Sequence, residues 1–144
     1  MCLLNGENVL WIGTHQNGII RLNKSTLSVS QFKQDATVEG TLSGNFIRSM
    51  IFSPQSPKGI WVGIWTKGLC YFDIESGECQ SYTNDPADKY AIPDNLILDL
   101  FADRSGLIWT GTYRSGLVRF RPDAQRFTSI TEFSNGEKIP SSCS

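Results

Sequence analysis

Along this chain, apolar and polar residues alternate in runs of five to eight positions, and glycine, proline and Asp/Asn turns interrupt the runs. Alternation with a period of two is the signature of strands, and the runs are rich in Trp, Ile, Val, Phe, Tyr and Thr, which suit a pleated, half-buried surface. No segment of a dozen residues carries a helical period. In the middle of the chain the pattern predicts strands over residues 46–53, 59–65, 68–74 and 78–84. Pro54 to Lys58, Thr66-Lys67 and Glu75-Ser76-Gly77 join them, and a longer link runs from Asn84 to Pro93. Four consecutive strands with short joins make an antiparallel meander.

The same unit occurs three times. Leu10-Trp11-Ile12-Gly13-Thr14, Ile60-Trp61-Val62-Gly63-Ile64 and Ile108-Trp109-Thr110-Gly111-Thr112 place tryptophans 50 and 48 residues apart. Five residues after each of these glycines stands another, Gly18, Gly68 and Gly116, and 21 residues past each tryptophan stand Phe32, Tyr82 and Ile130. Leu42-Ser43-Gly44-Asn45-Phe46-Ile47 parallels Ile92-Pro93-Asp94-Asn95-Leu96-Ile97. Repeats of about 48 residues, each a four-stranded sheet with a tryptophan on its second strand, are the sequence form of β-propeller blades. The expectation is an all-β propeller fragment of three four-stranded antiparallel blades. It forms one partial domain over 1–144, with blade 1 at about 1–35, blade 2 at about 42–84, blade 3 at about 92–133, and 134–144 opening a further repeat. Each tryptophan should pack between neighbouring sheets. Gly18, Gly68 and Gly116 fall where a tight hairpin visits positive φ, and Gly13, Gly63 and Gly111 mark close approach of another backbone or a large ring.

The repeat boundaries carry an expectation of their own. Ile139-Pro140-Ser141-Ser142 repeats the opening of an inner strand and Cys2-Leu3-Leu4 matches only the end of one, so the chain reads as a fragment or a truncated product. An open stack leaves an apolar face on each end blade, which predicts self-association or a partly frayed first blade.

Charge narrows the partners. Thirteen basic against fourteen acidic side chains leave a net charge of −1, which offers no basic field for nucleic acid or anionic lipid. No apolar run is long enough to span a membrane, and Met1-Cys2-Leu3-Leu4 does not read as a signal peptide. The four cysteines, Cys2, Cys70, Cys79 and Cys143, lack metal-ligand spacing, and His15 is the only histidine, so neither a metal nor another cofactor is expected.

Two phrases, Asp103 to Thr112 and Arg114-Ser115-Gly116-Leu117-Val118-Arg119-Phe120, resemble the two-component regulator propeller repeat, and the likeness extends over nearly the whole chain. The family's propellers form the periplasmic sensor part of hybrid two-component regulators, and many bind oligosaccharides. The resemblance therefore implies a periplasmic, non-enzymatic, ligand-sensing segment that signals to an output domain this chain lacks. Two departures stand out: Asn5-Gly6-Glu7-Asn8 replaces the aspartate turn in the first unit, and Ser53-Pro54-Gln55-Ser56-Pro57-Lys58-Gly59 lengthens it in the second.

In a meander blade the turn between strands two and three opens on the same face as the link to the next blade. This brings His15-Gln16-Asn17, Trp65-Thr66-Lys67 and Tyr113-Arg114-Ser115 together, with Asp88-Lys89-Tyr90, Gln34 to Gly40 and Ser134 to Lys138 nearby. Rings with polar tips beside amides and charged groups stack on sugar faces and bond hydroxyls. The candidate ligand site is His15, Gln16, Asn17, Trp65, Lys67, Tyr90, Tyr113 and Arg114, and its ligand is a small molecule or oligosaccharide. The alternative for Trp65 and Tyr113 is that they cap the sheet ends, and for His15 that it is structural or solvated. A solvated strand face accounts for Arg21 and Arg119. Asp103 reads as a turn residue, and Asp99 as lining the central channel beside its counterpart Ser49, in preference to an acid and base pair. Cys70 and Cys79 occupy apolar registers of adjacent strands and read as buried free thiols, with a bridge between them as the second reading, given the oxidising compartment the resemblance implies. Two other functions remain open: a protein-binding scaffold that uses the same loop face, and a propeller lyase similar to streptogramin-inactivating lyase, for which His15 has no partner.

Overall fold

A computed structural model describes residues 1–124, 126–131 and 136–138. Twelve strands form among them, in three separate sheets. The first sheet holds β1 (Cys2–Asn5), β2 (Val9–Gly13), β3 (Ile19–Asn23) and β4 (Val29–Phe32). The second holds β5 (Ile47–Phe52), β6 (Gly59–Ile64), β7 (Gly68–Asp73) and β8 (Cys79–Tyr82). The third holds β9 (Ile97–Ala102), β10 (Ile108–Thr112), β11 (Leu117–Arg121) and β12 (Arg126–Ile130). Every neighbouring pair is antiparallel and the spatial order follows the chain, so each sheet is a meander. The first strands β1, β5 and β9 lie side by side, which makes them the inner strands of three propeller blades. The expected start of a further inner strand at Ile139 to Ser142 lies outside the described residues.

Two cores hold the stack together, and strand periodicity builds both. On β6 all six residues are buried. Ile60, Val62 and Ile64 join Trp11, Ile19, Ile47, Phe72 and others in the core between blades 1 and 2. Trp61, from the other face of the same strand, joins Leu69, Ile97, Ile108, Val118, Phe120 and Phe127 between blades 2 and 3. Alternate residues of one strand thus serve two interfaces. Trp11 meets Phe72 of the next blade edge-on at 5.8 Å, and Trp61 meets Phe120 of the next blade at 4.9 Å. Trp11 and Trp61 pack between neighbouring sheets, as expected, whereas Trp109, in the same register, belongs to neither core and is only half-buried.

The in-strand glycines report the same asymmetry. A Cβ on Gly13 would lie 2.6 Å from Cγ2 of Ile47, and one on Gly63 would lie 2.6 Å from Cγ2 of Ile97, in each case the first residue of the next inner strand. A Cβ on Gly111 would meet nothing within 4 Å, so what crowds these positions is the isoleucine that opens the next inner strand, not the backbone or large ring expected, and only where a next blade is present. Gly18, Gly68 and Gly116 take φ of 66°, 78° and 67°, as hairpin turns require.

One side-chain expectation changes. Cys70 and Cys79 are joined by a disulfide, with Cα atoms 5.8 Å apart, rather than standing as free thiols. Antiparallel register explains the pairing: Cys79 stands opposite Phe72, so it is a diagonal neighbour of Cys70 on the blade 1 side of the sheet. Cys143 lies outside the described residues, and Cys2 is free, with burial pushing its thiol pKa up. Arg21 and Arg119 are exposed, as expected of a solvated strand face, and each guanidinium sits 5.9 Å over the ring of the tryptophan opposite it, Trp11 and Trp109. Tyr71 takes that place against Trp61 in the middle blade, at 5.2 Å.

Asp103 is the turn residue expected. It accepts from Ser105 N, Ser105 Oγ, Leu107 N and Trp109 Nε1 at 2.6–3.1 Å. Hydrogen bonds from Ser105 and then Trp109 hold its carboxyl well below the usual range, at about 2. Because the folded value is the lower one, the stability gained from this turn is present above the ordinary carboxylate value of 3.8 and is lost as pH falls toward 2. The stability difference between the wild type and Asp103→Ala should therefore be level above about pH 5 and shrink between pH 4 and 2, as followed by urea unfolding at each pH.

Candidate functional site

The hairpin tips and inter-blade links are joined by main-chain hydrogen bonds, which fixes the loop face. Gly18 N donates to Asn45 O and Gly68 N donates to Asn95 O, both at 3.0 Å. The same two asparagines use their side chains to hold the start of the link, accepting from Gln34 N at 2.8 Å and Asn84 N at 2.7 Å. In the third blade Asp94, which is buried, accepts from Leu96 N at 2.9 Å and Arg114 N at 2.7 Å. With both oxygens engaged, Asp94 acts as a brace between link and hairpin. Thr14 and Thr112 each donate to the glycine carbonyl that closes their hairpin, Gly18 and Gly116, at 2.9 Å. The middle hairpin has Ile64 in that place and instead turns through Thr66 at a φ of 63°, a left-handed conformation seldom taken by a β-branched residue.

His15, Trp65 and Tyr113 are brought into one row, as the register predicts, but the row runs through a residue not foreseen. His15 lies 4.6 Å from Phe46, Phe46 lies 6.0 Å from Trp65, and Trp65 lies 6.5 Å from Tyr113, centroid to centroid. Phe46 immediately precedes the inner strand that starts at Ile47, where its neighbour turns into the core. His15 and Tyr113 are exposed, Tyr113 at 60%, and Trp65 is half-buried. His15 Nε2 is 2.6 Å from the Met1 amine.

Beside the Trp65 and Tyr113 end of this row is a cleft of about 500 Å³ between blades 2 and 3. Thr66, Asn84, Asp94, Asn95, Arg114 and Ser115 line it. Of the predicted residues Arg114 lines the cleft, while Lys67 is exposed on the adjoining hairpin, its stem packed against Gly44. Gln16 and Asn17 are exposed on the first hairpin, where Asn17 O accepts from Gln31 Nε2 at 3.0 Å. Tyr90 stands elsewhere. Its carbonyl accepts from Phe127 N on the outer strand β12, and its ring lies between Arg126 at 4.7 Å and Lys89 at 4.8 Å. The link between blades climbs to the outer strand before it returns, and Tyr90 is at the far point of that path. Asn84, Asn95 and Thr66 were not singled out from sequence. The asparagine that recurs at Asn45 and Asn95 was the available signal for that pair.

The other acidic candidates are engaged structurally. Ser49 Oγ donates to Asp99 Oδ1 at 2.8 Å between neighbouring inner strands, so the two stand side by side as expected. Among the described residues no group of three His, Cys, Asp or Glu side chains could hold a metal ion. No helix among them is long and apolar enough to cross a membrane.

The fold and the loop face define a segment of a β-propeller. No family model matches the sequence, and no curated protein matches it. Solved structures do. The chain is similar to the extracellular domain of the hybrid two-component system BT3049 from B. thetaiotaomicron, with a TM-score of 0.76 and 22% identity over 94% of this chain and 18% of that one. It is similar to the extracellular domain of the hybrid two-component system BT4673 of the same organism, at a TM-score of 0.65 and 25% identity over 94% and 18%. It is also similar to PorZ, a surface component of the type-IX secretion system of Porphyromonas gingivalis, at a TM-score of 0.62 and 15% identity over 90% and 20%. The resemblance to two-component sensor propellers carried by the Asp103 to Phe120 phrases is thus matched in three dimensions. This chain spans about a fifth of the length of these structures.

Proposed function

We propose that this chain is part of a non-catalytic sensor propeller that works outside the cytoplasm, and that its loop face binds a carbohydrate or similar polar ligand. The observation that carries the reading is the ring row ending in Trp65 and Tyr113 beside the cleft that Arg114, Ser115, Asn84 and Thr66 line. Ring faces stack on the C–H faces of a sugar, while hydroxyls and amides at the cleft wall pair with its hydroxyl groups. The ligand would bridge a hairpin of blade 2 and a hairpin of blade 3. Its binding free energy would then bear on how adjacent blades pack, which is the form a signal to an output domain would take. The open side of the third sheet, over Gly111, is the surface through which the chain would associate. Fold likeness alone does not decide function, since PorZ shares the architecture.

Titration with a panel of neutral oligosaccharides, read by tryptophan fluorescence and calorimetry, tests this. Trp65→Ala should weaken binding by about tenfold or more, roughly 1–2 kcal/mol, whereas Trp65→Phe should retain most of it. Tyr90→Ala, away from the cleft, should leave it unchanged. A flat response to every glycan together with a stable protein partner would favour a scaffold that uses the same face.

A further inference from the structure

At the other end of the interface between blades 2 and 3 is a second cavity, of about 310 Å³, which shares no residue with the loop cleft. Trp61, Tyr71 and Tyr82 supply ring walls, and Ser53, Gln55 and Gln80 supply polar groups. Two of these groups are out of balance. Ser53 Oγ and Trp61 Nε1 are buried, their residues only 7% and 2% exposed, and neither atom has a hydrogen-bond partner. A buried donor left unpaired is costly, and an indole N–H can only donate.

The next blade shows what this register is built to hold. Trp61 pairs with Ile51 on β5 as Trp109 pairs with Phe101 on β9, and Ser53 follows β5 as Asp103 follows β9. In blade 3 the carboxylate of Asp103 accepts the indole N–H of Trp109 at 2.8 Å. In blade 2 the side chain at that position is a serine, too short to reach, and the cavity lies where the carboxylate would be.

We propose that this cavity binds a small molecule bearing a carboxylate, which takes the position of the Asp103 side chain, accepts hydrogen bonds from Trp61 Nε1 and Ser53 Oγ, and lays its carbon frame against Tyr71 and Tyr82. In the neighbouring repeat the Asp103 carboxylate is held by four uncharged donors, Ser105 N, Ser105 Oγ, Leu107 N and Trp109 Nε1, with no cationic side chain among them. Gln55 and Gln80 at the wall add amide donors for the second oxygen or for substituents.

The test uses the full chain, labelled with ¹⁵N, and follows the four indole N–H resonances, Trp61 being assigned from Trp61→Phe. The probes are sodium acetate and sodium benzoate against sodium chloride at equal ionic strength, with acetamide as the uncharged analogue. Acetate should move the Trp61 indole resonance and leave that of Trp109 in place. Benzoate should do so at about tenfold lower concentration, because its ring reaches the tyrosines. Ser53→Ala keeps the cavity and should bind several-fold more weakly. Ser53→Asp supplies the carboxylate from the chain itself, so it should place the Trp61 resonance near that of Trp109 and abolish the response to both acids. The proposal fails if the Trp61 resonance is unmoved by either acid, which would mean a site for ordered water only. It fails equally if acetamide acts as well as acetate, or if Ser53→Asp binds like the wild type.

Discussion

Trp61→Ala is expected to lower the free energy of unfolding by about 3–5 kcal/mol, and Trp109→Ala by only about 1–2 kcal/mol, although both residues occupy the same place in the repeat. Trp61 is 2% exposed and contacts Tyr71 and Tyr82 of its own blade and Phe120 of the next. Its removal leaves a ring-sized hole at the centre of one of the two cores, and the β-sheets on either side cannot collapse to fill it without breaking their ladders. Trp109 faces away from both cores and loses a hydrogen bond to Asp103 and the stacked Arg119. Urea unfolding of the two variants under the same conditions compares them directly. Equal losses would show that the outer face of the third sheet is covered in solution, by a further sheet or a second copy.

A second pair of variants makes the same comparison sterically. Gly63→Ala should destabilise by about 1–3 kcal/mol, because the added methyl would sit 2.6 Å from Cγ2 of Ile97 and the two sheets would have to separate or Ile97 leave its rotamer. Gly111→Ala meets nothing within 4 Å and should be neutral or stabilising by about 0.5–1 kcal/mol, the usual gain when a strand glycine becomes alanine. Thermal unfolding reads the difference as a clear drop in midpoint for Gly63→Ala and none for Gly111→Ala. A drop for both would again mean that Gly111 is covered.

These contrasts mark the point at which repetition stops being informative. Gly13, Gly63 and Gly111 are the same letter in the same phrase, as are Trp11, Trp61 and Trp109, and a periodic pattern assigns each set one environment. What separates the members is whether another blade lies on the forward face, and that depends on position in the stack. The burial of β10 alternates, while β6, two faces deep in protein, is buried throughout.

The candidate site divides along a similar line. That His15, Trp65 and Tyr113 share a face could be read from the hairpin register, because a two-to-three turn always opens on the same end of a meander. That Phe46 bridges them could not, since its direction is set by a main-chain bond from the next segment, Ile47 N to Thr14 O at 2.8 Å. The placement of Tyr90 fails for a related reason. A link of about ten residues has no period from which to infer its path, and only the bond from Phe127 N shows that it reaches the outer strand. The unpaired Trp61 indole is an intermediate case: the serine at position 53 in place of an aspartate is visible in sequence, but its consequence is a matter of atomic reach across a blade interface.

By itself, the sequence determined that this protein is a stack of four-stranded antiparallel sheets, where the strands lie, and which residues turn each hairpin. These features follow from local sterics and a period of two, and both act over a few neighbouring residues. Only the tertiary structure decided which faces are cores and which are open, which residues line the loop cleft, and which buried donors lack acceptors. Those outcomes depend on contacts between residues some fifty positions apart, and their geometry exists only once the sheets have packed.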